Sequence, residues 1–177
     1  MKNIVFDLGG VLFARDKSKC TPELLEFFSF LRAPRMPLFW EEYDRGTSTL
    51  AEVTAAISEM TGRSCETCAA VLRLAVDLQE PVRPTERLVG DLKAAGYKLY
   101  VLSNMSREFI DFLRRFPVYG LFDGEVVSCE ERTVKPEPRI YEILLERYGL
   151  TPSETLFIDD REMNIEAAAA LGIRGFE

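Results

Sequence analysis

The chain has 177 residues, 47% of them hydrophobic, which allows one good-sized core with a small accessory subdomain but hardly two independent domains. Its 22 Lys and Arg are scattered among 29 Asp and Glu for a formal charge of −7, which disfavours a nucleic-acid backbone as partner. The absence of histidine removes Ser-His-Asp and Cys-His catalysis, phosphohistidine intermediates and His-ligated metals, so any catalysis must use carboxylates, Lys, hydroxyls, backbone amides or a hard metal ion.

The opening MKNIVFDLGG has no basic segment, apolar stretch or cleavage site of a signal peptide, and no apolar run reaches the roughly 18 to 20 residues that span a bilayer. A soluble, cytoplasmic protein with no membrane partner is expected. Asn3-Ile4-Val5-Phe6 is a short apolar run that ends at Asp7 and meets Gly9 and Gly10, so it reads as a buried strand feeding a tight turn.

The next stretch carries almost no strand signal. Apolar residues at helical spacing mark Pro22 to Arg32, Pro37 to Tyr43, Thr49 to Met60 and Cys65 to Leu78, with joints at Pro34, Pro37, Gly46, Gly62 and Pro81. Phe39, Trp40 and Tyr43 read as core, with a lid over substrate as the alternative. Glu41, Glu42 and Asp44 read as a solvated face. Cys65 and Cys68 form a CxxC pair inside a helical pattern, and with Cys20 and Cys129 they read as ordinary reduced thiols.

Helices and strands alternate from Pro84 onward. Helical patterns cover Pro84 to Ala95, Arg107 to Arg115, Pro138 to Tyr148 and Arg161 to Leu171, and Gly96, Gly149 and Gly172 stand where C-terminal caps belong. Lys98 to Leu102 is an apolar run ending at Ser103-Asn104, and Thr155 to Ile158 is another ending at Asp159-Asp160. Such alternation predicts an α/β fold, a Rossmann-like doubly wound parallel sheet of residues 1–14 and 82–177, with a small α-helical cap inserted at 15–81. Ligands of such sheets bind at the carboxyl ends of the strands, where the three polar clusters converge.

Transfer of a phosphoryl group needs an aligned nucleophile, cations on the equatorial oxygens and help for the leaving oxygen. A carboxylate can attack phosphorus if its charge and the phosphate charge are neutralised together, which calls for an oxygen-ligated Mg²⁺. Asp7, Ser103, Asn104, Asp159 and Asp160 are residue types of that kind, and Lys135-Pro136 ahead of the helix at Pro138 offers the basic group.

FDLGGVLF (6–13), VLSNMS (101–106), VKPEPRIY (134–141) and FIDDREMNIEAAAALGI (157–173) resemble the four ordered motifs of the haloacid dehalogenase-like hydrolases. The branch they resemble most has a small helical cap and contains glucose-1-phosphate phosphatase and the phosphatase domain of epoxide hydrolases. The resemblance implies Asp7 as a nucleophile that becomes an aspartyl phosphate. It also implies Ser103, with the backbone or side chain of Asn104 beside it, on the transferring phosphoryl group and Lys135 between Asp7 and phosphate. Mg²⁺ would be held by Asp7, Asp160, the Gly9 carbonyl and Asp159 directly or through water, with Asn164 placed to orient a metal-bound water. The implied activity is hydrolysis of small phosphorylated metabolites, sugar phosphates among them.

Many members of the family carry an acid-base aspartate where this chain has Gly9, a glycine shared by the glucose-1-phosphate phosphatase branch. Asp16, Glu41, Glu42 and Asp44 are the candidates to replace it. The same glycine motivates the alternative of a weakly active or inactive phosphate-binding protein. No motif sets the substrate or the oligomeric state.

Overall fold

A computed structural model describes residues 1–32 and 36–177, so the expected joint at Pro34 lies outside the described residues. Strand β1 (Asn3–Phe6) is buried along its length, with Ile4, Val5 and Phe6 apolar, because both its faces are covered. Its side chains alternate: Ile4 and Phe6 pack with Val89, Ile110 and Leu113, while Val5 packs with Ile140, Tyr141, Leu144 and Ala168. The first group comes from α5 (Arg83–Ala94) and α6 (Arg107–Leu113), the second from α8 (Pro138–Tyr148) and α9 (Glu162–Ala170). Helices therefore cover both faces of the sheet.

The sheet has five strands in the order β5-β4-β1-β6-β7, with every neighbouring pair parallel. Here β4 is Lys98–Ser103, β5 Gly124–Val127, β6 Thr155–Ile158 and β7 Arg174–Phe176. Phe6 stands opposite Val101 on one side and Ile158 on the other, so Asp7 and Asp159 leave the sheet side by side. The Asp7 amide donates to the Ile158 carbonyl at 2.9 Å and carries the ladder one step past the strand. The α/β doubly wound architecture agrees with expectation, and helix ends shift by one or two residues in this half of the chain.

Two strand pieces correct the reading of the stretch between the first strand and Pro84 as almost strandless. β2 (Phe13–Arg15) and β3 (Gln79–Pro81) pair antiparallel, Phe13 opposite Pro81 and Arg15 opposite Gln79. Three residues each, with few apolar positions, leave no alternation to read. Between them lie α1 (Pro22–Phe27), α2 (Leu38–Arg45), α3 (Leu50–Thr61) and α4 (Cys65–Asp77). The helix expected through Arg32 stops at Phe27 and resumes as 3₁₀ turns from Ser29. Thr49 caps α3 in a reciprocal box with Glu52, and Thr21 and Ser64 cap α1 and α4.

Leu24, Phe27, Phe28, Trp40, Tyr43 and Ile57 close a third apolar cluster, which reaches Phe109 on α6. Trp40 and Tyr43 are thus core residues. Cys68 is buried in the same cluster, and all four cysteines are free. Among the described residues no helix is long and apolar enough to cross a membrane.

Gly46 ends α2 at φ 75°, and a Cβ built on it would lie 2.4 Å from the Cys129 carbonyl oxygen. That contact is with backbone and has no side chain to move aside. Gly46→Ala is expected to destabilise the fold by at least the ~1–3 kcal/mol of a strained backbone residue. Urea unfolding should show a lower midpoint at an unchanged slope.

Candidate active site

Three strand ends deliver the polar groups. Asp7 follows β1, Ser103 ends β4, and Asp159 with Asp160 follow β6. Asp7 receives three hydrogen bonds on Oδ1: from the Leu8 amide at 2.7 Å, from Ser103 Oγ at 2.7 Å and from Lys135 Nζ at 2.9 Å. None of the three uses Oδ2.

Lys135 is buried with its ammonium fully engaged. Besides Asp7 it donates to Asp159 Oδ2 at 2.6 Å and to the Leu102 carbonyl at 3.0 Å, which accounts for its three protons. Burial alone would lower its pKa, but the charges of Asp7 and Asp159 raise it, so it stays cationic. For Asp7 the balance runs the other way. Burial raises its pKa, Lys135 opposes, and Asp159 adds to the rise.

Asn104 positions this lysine. Its Nδ2 donates to the Lys135 carbonyl at 2.8 Å, and its Oδ1 accepts from the Lys135 amide at 2.7 Å. The side chain expected beside a phosphoryl group is therefore committed to the loop of Lys135. Asp159 is fully buried and accepts from Asn164 Nδ2 on both oxygens, from the Arg161 amide and from Lys135. Asn164 points at Asp159 and is held in turn by Tyr141, whose hydroxyl donates to its carbonyl at 3.0 Å.

Asp160 is exposed, and one oxygen each from Asp7, Asp159 and Asp160 lie within 4.8 Å of one another. Like charges so close repel by roughly 3 kcal/mol at an effective dielectric of 20, and Lys135 supplies only one compensating charge. Burial and then Asp159 raise the Asp160 pKa accordingly. Gly10, at φ 81°, is what lets the turn approach this group: a Cβ there would fall 2.4 Å from Asp160 Oδ2. Composition marked Gly10 as a turn residue, but its approach to Asp160 links positions 150 apart in sequence.

A cavity of about 990 Å³ opens over the cluster, lined by Asp7, Gly9, Asn104, Lys135 and Asp160 below and by Trp40 and Asp44 from α2. Asp44 was expected on a solvated face. Instead it is half-buried in the cavity wall, because the polar side of α2 turns toward the sheet ends rather than toward water. Asp16 accepts from Ser18 and pairs with Lys19, and Glu41 pairs with Arg45 at 2.7 Å.

A family model of the haloacid dehalogenase-like hydrolases matches residues 1–172. The chain belongs to that family. A sesquiterpene phosphatase of Aspergillus oryzae is 28% identical over 175 residues, covering 98% of this chain and 88% of the relative. The D-ribitol-5-phosphate phosphatase of Bacteroides thetaiotaomicron is 27% identical over 194 residues, covering 100% and 91%. A haloacid dehalogenase family enzyme of the same bacterium, crystallised as an Asp-to-Ala mutant with magnesium and inorganic phosphate, superposes with a TM-score of 0.79. It shares 27% identity, with 99% of this chain and 93% of the other covered.

Lys135→Met tests the charge balance of this family member. It leaves Asp7 and Asp159 buried without their cation, and breaking a buried pair costs about 3–5 kcal/mol. Without the lysine the folded-state pKa of Asp7 lies still further above its unfolded value, so the penalty is larger at higher pH and shrinks as pH falls and Asp7 takes a proton. Chemical denaturation of both proteins at pH 7.5 and 5.5, two conditions chosen across that window, should show a smaller difference at the lower value.

Proposed function

We propose that the protein is a Mg²⁺-dependent phosphomonoesterase of small phosphorylated metabolites that works through an aspartyl phosphate on Asp7, with residues 15–81 as a cap over a core of 1–14 and 82–177. The observation that carries the reading is the convergence of Asp7, Ser103, Lys135, Asp159 and Asp160 at adjacent strand ends under one cavity. The donor set fits a hard divalent cation: three carboxylates, no thiol and no imidazole, with oxygens within 4.8 Å of one another. Asp7, Asp160 and the Gly9 carbonyl would hold it, and Asp159, whose oxygens are already engaged, would contribute through water. When bound, the cation supplies charge neutralisation between Asp7 and the phosphate. Both phosphatase relatives, and the neighbour bound to magnesium and phosphate, support this reading.

Ser103 and Lys135 hold Oδ1 of Asp7 and so fix the orientation of the carboxylate that attacks phosphorus. Asn104 acts by holding the loop of Lys135 in register. Release of inorganic phosphate from para-nitrophenyl phosphate should require Mg²⁺ and stop on addition of a chelator. Asp7→Asn should reduce it to background while keeping the fold, as seen by circular dichroism. Full activity in Asp7→Asn would sink the reading.

The cavity walls speak to the substrate. Phe13, Leu25, Phe28, Trp40, Met105 and Phe109 present carbon to whatever lies beyond the phosphate. Burying apolar area is worth about 25 cal/mol per Å², and these side chains make up more of the wall than the polar ones, Arg15, Glu41, Gln79 and Arg161 among them, that would meet a hydroxylated leaving group. This favours esters of apolar alcohols, as in the Aspergillus relative, over the sugar phosphates that the sequence alone suggests. Geranyl phosphate should show a kcat/KM at least tenfold above that of ribitol 5-phosphate, and the reverse order would refute the preference.

A further inference from the structure

An ester oxygen leaves poorly unless it is protonated in the transition state or belongs to an acidic alcohol. The groups at the strand ends do not supply that proton. Lys135 commits its three donors to Asp7, Asp159 and the Leu102 carbonyl. Gly9 has no side chain, although the space is there: a Cβ would meet nothing nearer than Met105 Cε at 3.9 Å.

Across the cavity, the end of α2 is tied to the core at four consecutive residues. Tyr43 donates its hydroxyl to Glu108 at 2.5 Å, and Ser128 Oγ donates to the Asp44 main-chain carbonyl. Arg45 forks onto both oxygens of Glu137 at 2.9 and 2.7 Å, and Gly46 lies against the Cys129 backbone. Glu108 is on the helix after β4, and Ser128 and Cys129 are on the short helix α7 (Ser128–Glu131) after β5. Because β4 and β5 lie on one side of β1 and β6 on the other, Asp44 flanks Asp7 on the side away from Asp159 and Asp160. Asp44 and Asp7 line the same cavity, so a leaving group held there meets both.

Resting on the phosphatase reading, we propose that Asp44 is the catalytic acid and base of this site. As Asp7 attacks and the phosphorus–oxygen ester bond breaks, the Asp44 carboxylic acid gives its proton to the leaving oxygen, which departs as the alcohol. Water then attacks the aspartyl phosphate, Asp44 takes the proton that water loses, and the bond to Asp7 breaks to release inorganic phosphate. Both residues return to their starting states. Burial and then the charge of Asp7 raise the Asp44 carboxyl to about 7, against the Ser106 amide, Trp40 and Lys135. The larger cause, burial, belongs to the cavity wall itself.

The test compares kcat/KM for para-nitrophenyl phosphate and n-butyl phosphate in wild type and Asp44→Asn with saturating Mg²⁺. This parameter reports the steps up to alcohol release. For the butyl ester, Asp44→Asn should lose ~10²- to 10⁴-fold, the usual worth of general acid catalysis, whereas the nitrophenyl ester should change by less than about tenfold. The variant should also release nitrophenolate in a stoichiometric burst, because the second step has lost its base. An equal fall for both esters, or no fall for the butyl ester, overturns the role of Asp44. Wild-type turnover of neither ester overturns the phosphatase reading itself. Should the amide at this position prevent folding, Asp44→Ser carries the same comparison.

Discussion

One lysine makes the rest of this site permissible. Asp7 and Asp159 are both buried and emerge from adjacent parallel strands, where their charges would repel each other. The Lys135 ammonium lies between them at 2.9 and 2.6 Å and turns the repulsion into two charge-assisted hydrogen bonds. Its position is in turn fixed by the paired bonds from Asn104, so the residue after Ser103 acts on Asp7 at one remove. The sheet brings the charges together, and the lysine lets them remain so.

That arrangement divides labour among the carboxylates. Asp159 has no exposed surface and four hydrogen bonds, which makes it a fixture of the scaffold. Asp160, the next residue, is exposed and stands against a glycine turn that keeps space beside it. Two aspartates adjacent in sequence thus face opposite demands, because the chain leaves the strand between them and one side chain turns inward and the other outward.

The strand-end residues were legible because each closes an apolar run that only a covered strand explains: Phe6 before Asp7, Leu102 before Ser103, Ile158 before Asp159. The helices around the sheet were legible for the same reason at a different period. Strands β5 and β7 were not, since GEVV and RGF are short and mixed in burial, and edge positions need not be apolar on both faces. Periodicity also says which side of a helix is polar without saying what that side meets. The polar side of α2 holds Glu41, paired with Arg45 near solvent, and Asp44, turned into the cavity, and the two are indistinguishable by pattern. Neither the pairing of Asn104 with Lys135 nor the fork of Arg45 on Glu137 has a local signature, because their partners lie 31 and 92 residues apart.

The central place of β1 has a consequence for how the chain is made. Synthesis delivers this strand well before either of its neighbours, which come from far downstream: Asn3 meets a partner in Thr155 across 152 residues. Until β4 and β6 emerge, the nascent protein presents a largely apolar strand with both edges unpaired, a segment prone to stray association. The α1–α4 helices are encoded in the interval and have their own apolar cluster to assemble from local contacts. The chain can thus bury much of its early hydrophobic surface before its most exposed strand finds a home.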